Sequence, residues 1–268
     1  QTQTVESYYV DNDNISVNLF ESNKFNKKLL TLYSINEHKN ITLDLGTDNI
    51  VFADEYGNET EMSSQNGIYT FAVDKAPVYI LGNITTAQVL NTQSGALISG
   101  YDVSVAANDN YTIELTAQDN NDYTVEIDAP ECVKGLNVSE FNNGKANITF
   151  KNTAKPGENY KINVYLTAGG NKVQYSGINI KSIEPVKVTP TVNLISKKNL
   201  NRWQIAFDIK NYMNKQDATG KIRIVSPNDL QTDYIDIGQI PSGDTRQVKI
   251  NLPSIYKKNE YSISYELL

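Results

Sequence analysis

The chain has very few of the residues on which catalysis and covalent cross-linking usually depend. Its 268 residues include one histidine, one cysteine and one tryptophan. With Cys132 alone, no internal disulfide can form. A shortage of cysteine leans towards a reducing compartment, but sandwich-sized domains bury adequate cores without covalent staples. Cys132 lies in Ala129-Pro130-Glu131-Cys132-Val133, with no histidine nearby to activate a thiolate, so its expected role is structural. The one histidine, His38, sits in the polar stretch Asn36-Glu37-His38-Lys39-Asn40 and reads as an exposed bystander in a hairpin loop. Ser-His-Asp and Cys-His sites therefore lack a base, and a tetrahedral zinc site lacks ligands. There is no Gly-rich phosphate loop. No apolar run approaches the ~18–20 residues of a membrane-spanning helix, and no stretch of ten residues follows a 3.6-residue period.

Positive charge is also in short supply. Lys and Arg number 24 against 31 Asp and Glu, a net charge of −7. An acidic surface repels phosphate backbones, so nucleic acid is not an expected partner. The pairs Lys197-Lys198 and Lys257-Lys258 read as solvated loop charge.

What the chain does have is a period of two. Apolar residues alternate with polar ones in Ile15/Val17/Leu19, Ile41/Leu43/Leu45, Tyr111/Ile113/Leu115, Ala146/Ile148/Phe150, Tyr160/Ile162/Val164/Leu166, Trp203/Ile205/Phe207/Ile209 and Val248/Ile250/Leu252. This is the pattern of half-buried antiparallel strands. Turns such as Glu55-Tyr-Gly-Asn58, Gln65-Asn-Gly67, Gly169-Gly-Asn171 and Ser242-Gly-Asp244 separate the runs with residues that accept positive φ. The expected fold is all-β, with tandem antiparallel β-sandwiches of immunoglobulin-like type.

A weak internal repeat suggests where modules divide. Pro156–Leu166 resembles Ser242–Leu252, each a Gly-containing turn feeding an alternating strand, and Tyr111–Leu115 resembles Trp203–Phe207. The expected modules are 1–84, 85–183 and 184–268, with Glu184-Pro185-Val-Lys-Val-Thr-Pro190 as a joint. Gln1 in place of Met, and a strand-like Tyr261–Leu268, are expected of a piece cut from a longer chain.

The first module carries a family resemblance. In order come Val17-Asn-Leu-Phe-Glu21, Leu30-Thr-Leu-Tyr-Ser34, Ile50-Val-Phe-Ala-Asp-Glu-Tyr-Gly-Asn58, Asn66-Gly-Ile-Tyr-Thr-Phe-Ala-Val73 and Ala76-Pro-Val-Tyr-Ile80. Across residues 14–82 this set resembles the accessory β-sandwich that packs beside the (β/α)₈ catalytic barrel in several secreted bacterial glycoside hydrolase families. Leu-Tyr-Ser stands where many relatives carry a Trp before the Ser, and there is no trace of the barrel. That family sandwich has no catalytic residues, so the resemblance transfers none. The two later modules resemble, more generically, immunoglobulin-like modules appended to secreted glycosidases.

Candidate chemistry is sparse. Glycoside hydrolysis needs a pair of carboxylates across a sugar, and nothing in the sequence selects such a pair. Calcium is the metal candidate, through the oxygen-rich clusters Asp11-Asn-Asp13-Asn14 and Asp119-Asn-Asn-Asp122, with Asp109 near the second. Their plainer reading is turns that hydrogen-bond their own backbone. Asp11, Asp13, Asp119 and Asp122 are the weak metal candidates, and no cofactor is expected. A sugar platform needs exposed rings. Trp203 shares the parity of Ile205, Phe207 and Ile209 and is expected in the core, while Tyr8, Tyr9, Tyr56 and Tyr234 are expected on edges and loops. The Asn-x-Ser/Thr sequons, from Asn14 to Asn147, are expected by chance in a chain this rich in asparagine, and no glycosylation is expected.

The expected function is that of a non-catalytic accessory or spacer region in a larger secreted or surface-attached bacterial glycoside hydrolase, supporting a catalytic barrel before residue 1. Its partners would be that catalytic module and a polysaccharide or cell-surface partner, in an extracellular or cell-wall setting. The alternative is the stalk of a bacterial surface adhesin, with immunoglobulin-like domains binding a protein or glycan.

Overall fold

A computed structural model describes residues 2–12, 14–22, 26–94, 102–117, 123–196, 202–226, 228–252 and 262–268. The described residues form an all-β chain. In chain order the strands are β1 (Thr2–Val10), β2 (Ile15–Ser22), β3 (Lys27–Ser34), β4 (Lys39–Asp44), β5 (Asn49–Ala53), β6 (Glu59–Ser63), β7 (Ile68–Val73), β8 (Val78–Gly82), β9 (Gln88–Ser94), β10 (Asp102–Ala106) and β11 (Asn110–Thr116). There follow β12 (Thr124–Asp128), β13 (Val133–Val138), β14 (Lys145–Asn152), β15 (Asn159–Ala168), β16 (Asn171–Ile183), β17 (Val186–Ser196), β18 (Arg202–Asn211), β19 (Lys221–Ser226), β20 (Ile235–Asp236), β21 (Thr245–Asn251) and β22 (Ser264–Leu267). Among the described residues the one helical element is a single 3₁₀ turn, Asn228–Leu230.

By their contacts the residues group as two compact units. One comprises 1–103, 112–151 and 159–181, the other 104–111, 152–158 and 182–268. The three-module division expected from the internal repeat stays a proposal beside this grouping.

In the first unit, a six-stranded sheet in the order β1-β2-β3-β8-β5-β6 faces a larger sheet that runs β12-β15-β16-β7-β4-β9. The alternation read from sequence sets which side chains meet between them. Ile15, Val17, Leu30, Leu32, Ile41, Leu43, Phe52, Phe71 and Ile80 are all fully buried in one core. Tyr165 and Tyr175 join the same core from β15 and β16. Tyr175 is on the opposite parity to the buried Gln174, Ser176 and Ile178, so β16 is covered on both faces. That lies outside a simple in–out alternation, which assumes one wet face.

The pairing of β16 with β7 is parallel and short, covering only Gln174↔Thr70 and Tyr175↔Phe71. On its core side, Tyr175 packs on Phe52 at 4.1 Å between ring centroids, and Phe52 stacks on Phe71 at 5.8 Å. Beside this cluster the Asp54–Asn58 turn is fixed in two ways. Asp54 is buried and accepts the backbone N–H groups of Tyr56 and Asn58, each at 2.9 Å. Glu55 forms a largely buried ion pair with Lys161 of β15, at 2.7 and 2.9 Å to its two oxygens. Gly177 leaves room for this pair, because a Cβ there would lie 2.1 Å from Lys161 Cε.

The second unit has its own core, including Ile205, Phe207, Ile209, Ile222, Ile224, Val248 and Ile250, with Trp203 packed against it as the parity argument expects. It also uses one corner twice. At the end of β14, buried Asn152 donates from Nδ2 to the carbonyls of Val105 and Ala106 at 3.1 and 3.2 Å, while its Oδ1 accepts Ala154 N–H at 3.0 Å. At the end of β18, buried Asn211 donates from Nδ2 to the carbonyls of Gln216 and Ile240 at 2.8 and 2.9 Å, and its Oδ1 accepts Met213 N–H at 2.9 Å. Each asparagine's backbone clasps a tight turn: Asn152 exchanges hydrogen bonds with Asn108 and Asp109, Asn211 with Gly243 and Asp244. The turn residue before each Asp has a positive φ, 63° at Asn108 and 79° at Gly243, the region in which Asn and Gly are most at ease. In the first corner the turn precedes its asparagine in the chain, and in the second it follows.

Two predictions concern stability. Asn152→Ala and Asn211→Ala each leave two carbonyls without that donor, and each is expected to lower the unfolding free energy by about 1–3 kcal/mol, read from urea midpoints at unchanged slope. Glu55→Ala leaves the Lys161 ammonium buried without its counter-charge and is expected to cost about 3 kcal/mol, whereas the double variant Glu55→Gln/Lys161→Met is expected to recover most of that loss.

Candidate functional site

The outer side of the β16–β7 seam carries an open concavity. A register row crosses four neighbouring strands: Gln174 opposite Thr70, Thr70 opposite Thr42, and Thr42 opposite Asn91. These four residues point away from the aromatic core and line an open cleft of about 810 Å³. The β6–β7 turn and the β15–β16 hairpin form its rim, through Ser64, Asn66, Gly169 and Asn171, and Tyr123 lines it ahead of β12. No described residue of the lining is charged.

Hydrogen bonds fix the geometry of the lining. Gln174 is 8% exposed despite lying on the outer face. Its Nε2 donates to Tyr123 Oη at 3.1 Å. Its Oε1 is buried and has no hydrogen-bond partner among the described residues. The Thr42 and Thr70 hydroxyls lie 3.0 Å apart. Ser63 reaches Asn171 Oδ1 at 2.8 Å, and Asn66 Oδ1 accepts from Ser64 Oγ at 2.7 Å. The Tyr123 ring is braced edge-on by Phe141, with centroids 6.1 Å apart and planes at 72°.

None of the cleft residues stands out in sequence. Thr42, Thr70 and Gln174 each lie between two apolar neighbours and Asn91 follows Leu90, and no motif links the four. What makes them a site is the pairing of β7 with β16, about a hundred residues apart in the chain, which no local pattern encodes.

The residues singled out from sequence lie elsewhere. His38 differs from the exposed bystander expected. It is partly buried, with Nε2 3.0 Å from Asp102 Oδ2 and Nδ1 3.9 Å from Asp74 Oδ2. Asp102 also accepts from Asn179 Nδ2 at 3.0 Å. Burial works to raise the Asp102 pKa, but the hydrogen bonds from His38 and Asn179, with the charge of His38, hold it below its ordinary 3.8. The two further carboxylates at this edge belong to other contacts: Asp11 and Glu37 lie 3.0 and 2.7 Å from the Lys39 ammonium. Of the calcium candidates, Asp11 is thus against a lysine, and Asp13, Asp119 and Asp122 lie outside the described residues. Asp109, buried in the second unit, accepts from the Asn214 backbone N–H and from Gln216 Nε2, the latter at 3.0 Å. Among the described residues no group of three or more His, Cys, Asp and Glu is placed to hold a metal ion.

The tyrosines divide. Tyr8 packs against the first core and donates to the Ala87 carbonyl. Tyr9 and Tyr56 are exposed. Tyr234 lies under Arg223, 4.3 Å from guanidinium to centroid, and its hydroxyl donates to Glu266 at 2.9 Å.

No family model matches the chain, and no curated protein matches it by sequence. Among solved structures it is similar to a chimeric titin Z1Z2 carrying a peptide from decorin, at 13% identity over 63% of this chain and 92% of that one, with a TM-score of 0.28. It is also similar to the titin domains I67–I69, at 8% identity over 90% of each chain and a TM-score of 0.27. A third likeness is to E. coli alpha-2-macroglobulin, at 11% identity over 95% of this chain and 21% of that one, with a TM-score of 0.25. These overlaps are loose, and the all-β assignment rests on the chain's own strands.

The His38 contact has a pH signature. Because the Asp102 pKa is depressed in the folded chain, its contribution to stability is fully present above the unfolded value near 4 and is lost as pH falls through the folded value. Urea midpoints taken from pH 6 to pH 2.5 are expected to fall less steeply for Asp102→Asn than for the parent sequence.

Proposed function

We propose that this chain is a non-catalytic β-sandwich region of a larger secreted or surface-attached bacterial protein. The observation that carries this reading is where its reactive side chains are engaged. His38 is held by carboxylates, Glu55 by Lys161, Asp54 by its own turn and Asp109 by the Asn214 corner. These groups are engaged within the fold and do not converge on an open cleft, while the described lining of the cleft has no carboxylate, histidine or cysteine.

Within this reading, the role of accessory region to a glycoside hydrolase is supported by the ordered motif set of residues 14–82. Those segments are β2, β3, β5, β7 and β8, so the whole set belongs to one pair of facing sheets. The second reading, an adhesin stalk, is supported by the distribution of exposed apolar side chains. Among the described residues up to 84 these are Val5 and Tyr9 on edge strand β1, Ile35 in a loop and Tyr56 in a turn. A surface built to pack beside a barrel would show a contiguous apolar patch.

Two measurements test the proposal. The chain, incubated at high concentration with a panel of aryl glycosides, is expected to release no aglycone above the buffer rate. Deleting residues 1–268 from the parent protein is expected to leave any hydrolytic activity in place but shorten its half-life on heating. Loss of cell-surface attachment with no effect on activity would select the stalk instead, and turnover by the isolated chain would overturn both.

A further inference from the structure

We infer that the cleft on the outer face of β16, β7, β4 and β9 is a binding site for a neutral oligosaccharide, with the buried Gln174 carboxamide as its polar anchor. The inference goes beyond the accessory role and stands independently of it.

The buried amide carries most of the argument. An amide oxygen removed from water without a partner costs on the order of 1–3 kcal/mol, and surrounding residues normally remove that cost. Gln174 Nε2 donates to Tyr123 Oη at 3.1 Å, and because a tyrosine hydroxyl both donates and accepts, either orientation of the amide leaves its other polar atom without that partner. Among the described residues Oε1 is without a partner, in a side chain that is 8% exposed and lines the cleft. A ligand hydroxyl would satisfy it.

The rest of the lining narrows the ligand class. Hydroxyls and carboxamides from Thr42, Thr70, Asn91, Asn66 and Asn171 can each donate or accept, which suits a molecule whose own groups do both. A phosphate, sulfate or carboxylate would find no cation in the described lining, and an ammonium would find no carboxylate. An aliphatic ligand would strand the amides. Tyr123, braced by Phe141, adds an aromatic surface of the kind on which the C–H face of a sugar packs. The volume, about 810 Å³, lies in the ~300–1,000 Å³ range of small-molecule sites.

The test is a printed array of neutral oligosaccharides beside sialylated and sulfated ones, probed with the intact chain. Any neutral glycan retained is then titrated by calorimetry. Binding is expected among the neutral glycans alone. Gln174→Leu is expected to weaken it at least tenfold, with circular dichroism and urea midpoint checked in parallel. Thr42→Val and Asn91→Ala, on more accessible parts of the same row, serve if Gln174→Leu does not fold, and each is expected to weaken binding severalfold. Tyr56→Ala, at an exposed turn outside the lining, is expected to leave affinity unchanged. No signal from any neutral glycan, preference for the charged ones, or affinity that survives all three cleft substitutions would overturn the assignment. Those outcomes would leave the non-catalytic reading standing, because that reading is decided by aglycone release and deletion.

Discussion

The first unit depends on one weak junction made strong by what lies on either side of it. β7 and β16 share two residue pairs in parallel, too short a ladder for main-chain hydrogen bonds alone to define the register. The inner face supplies the missing definition. Tyr175 sits on Phe52 and 5.5 Å from Tyr165, and Phe52 stacks on Phe71. Each such ring pair contributes about 0.5–1.5 kcal/mol beyond the area it buries. A slip of one residue would turn Tyr175 out of the core and Gln174 into it, an exchange that both hydrophobic burial and amide hydrogen bonding oppose.

That register also determines the outer face. Because side chains alternate, locking Tyr175 inward places Gln174 outward beside Thr70, and the β4 and β9 pairings extend the row through Thr42 to Asn91. Core and cleft are two consequences of one alignment. The charged groups of the unit lie away from this row, pinning turns and loop edges, as Lys161 does for Glu55 and Lys39 does for Asp11 and Glu37. The described lining of the cleft is left uncharged by that division.

Much of the fold is legible in the sequence because strand burial is a local, period-two property. Ile15, Val17, Ile41, Leu43, Ile148, Ile162, Ile205 and Ile250 are buried where the alternation places them. Trp203 follows the same parity. What local pattern cannot carry is partnership. Gln174 reads as a solvent-facing polar residue until β7 lies beside it, and His38 reads as a loop residue until Asp102, 64 positions later, meets its ring. Asn152 and Asn211 look like ordinary strand-end polar residues, and only the turns they clasp show them to be equivalent. The cleft escapes a local reading for the same reason: the residues of its central row come from four strands and share no motif.

The parallel seam bears on the order of events during synthesis. Thr70 and Phe71 leave the ribosome long before Gln174 and Tyr175 exist, at about 5–20 residues per second. Until then the nascent sheet ends at β7, with Phe52 and Phe71 lacking the rings that cover them and an unpaired strand edge open to solvent. Closing so long a loop has an entropic cost that is met only when the late strands arrive. The early sheets therefore wait, partly formed, in the state in which a chain is most exposed to wrong partners. Refolding of the whole chain should share that delay, with burial of Phe52 and Phe71 reported late rather than early.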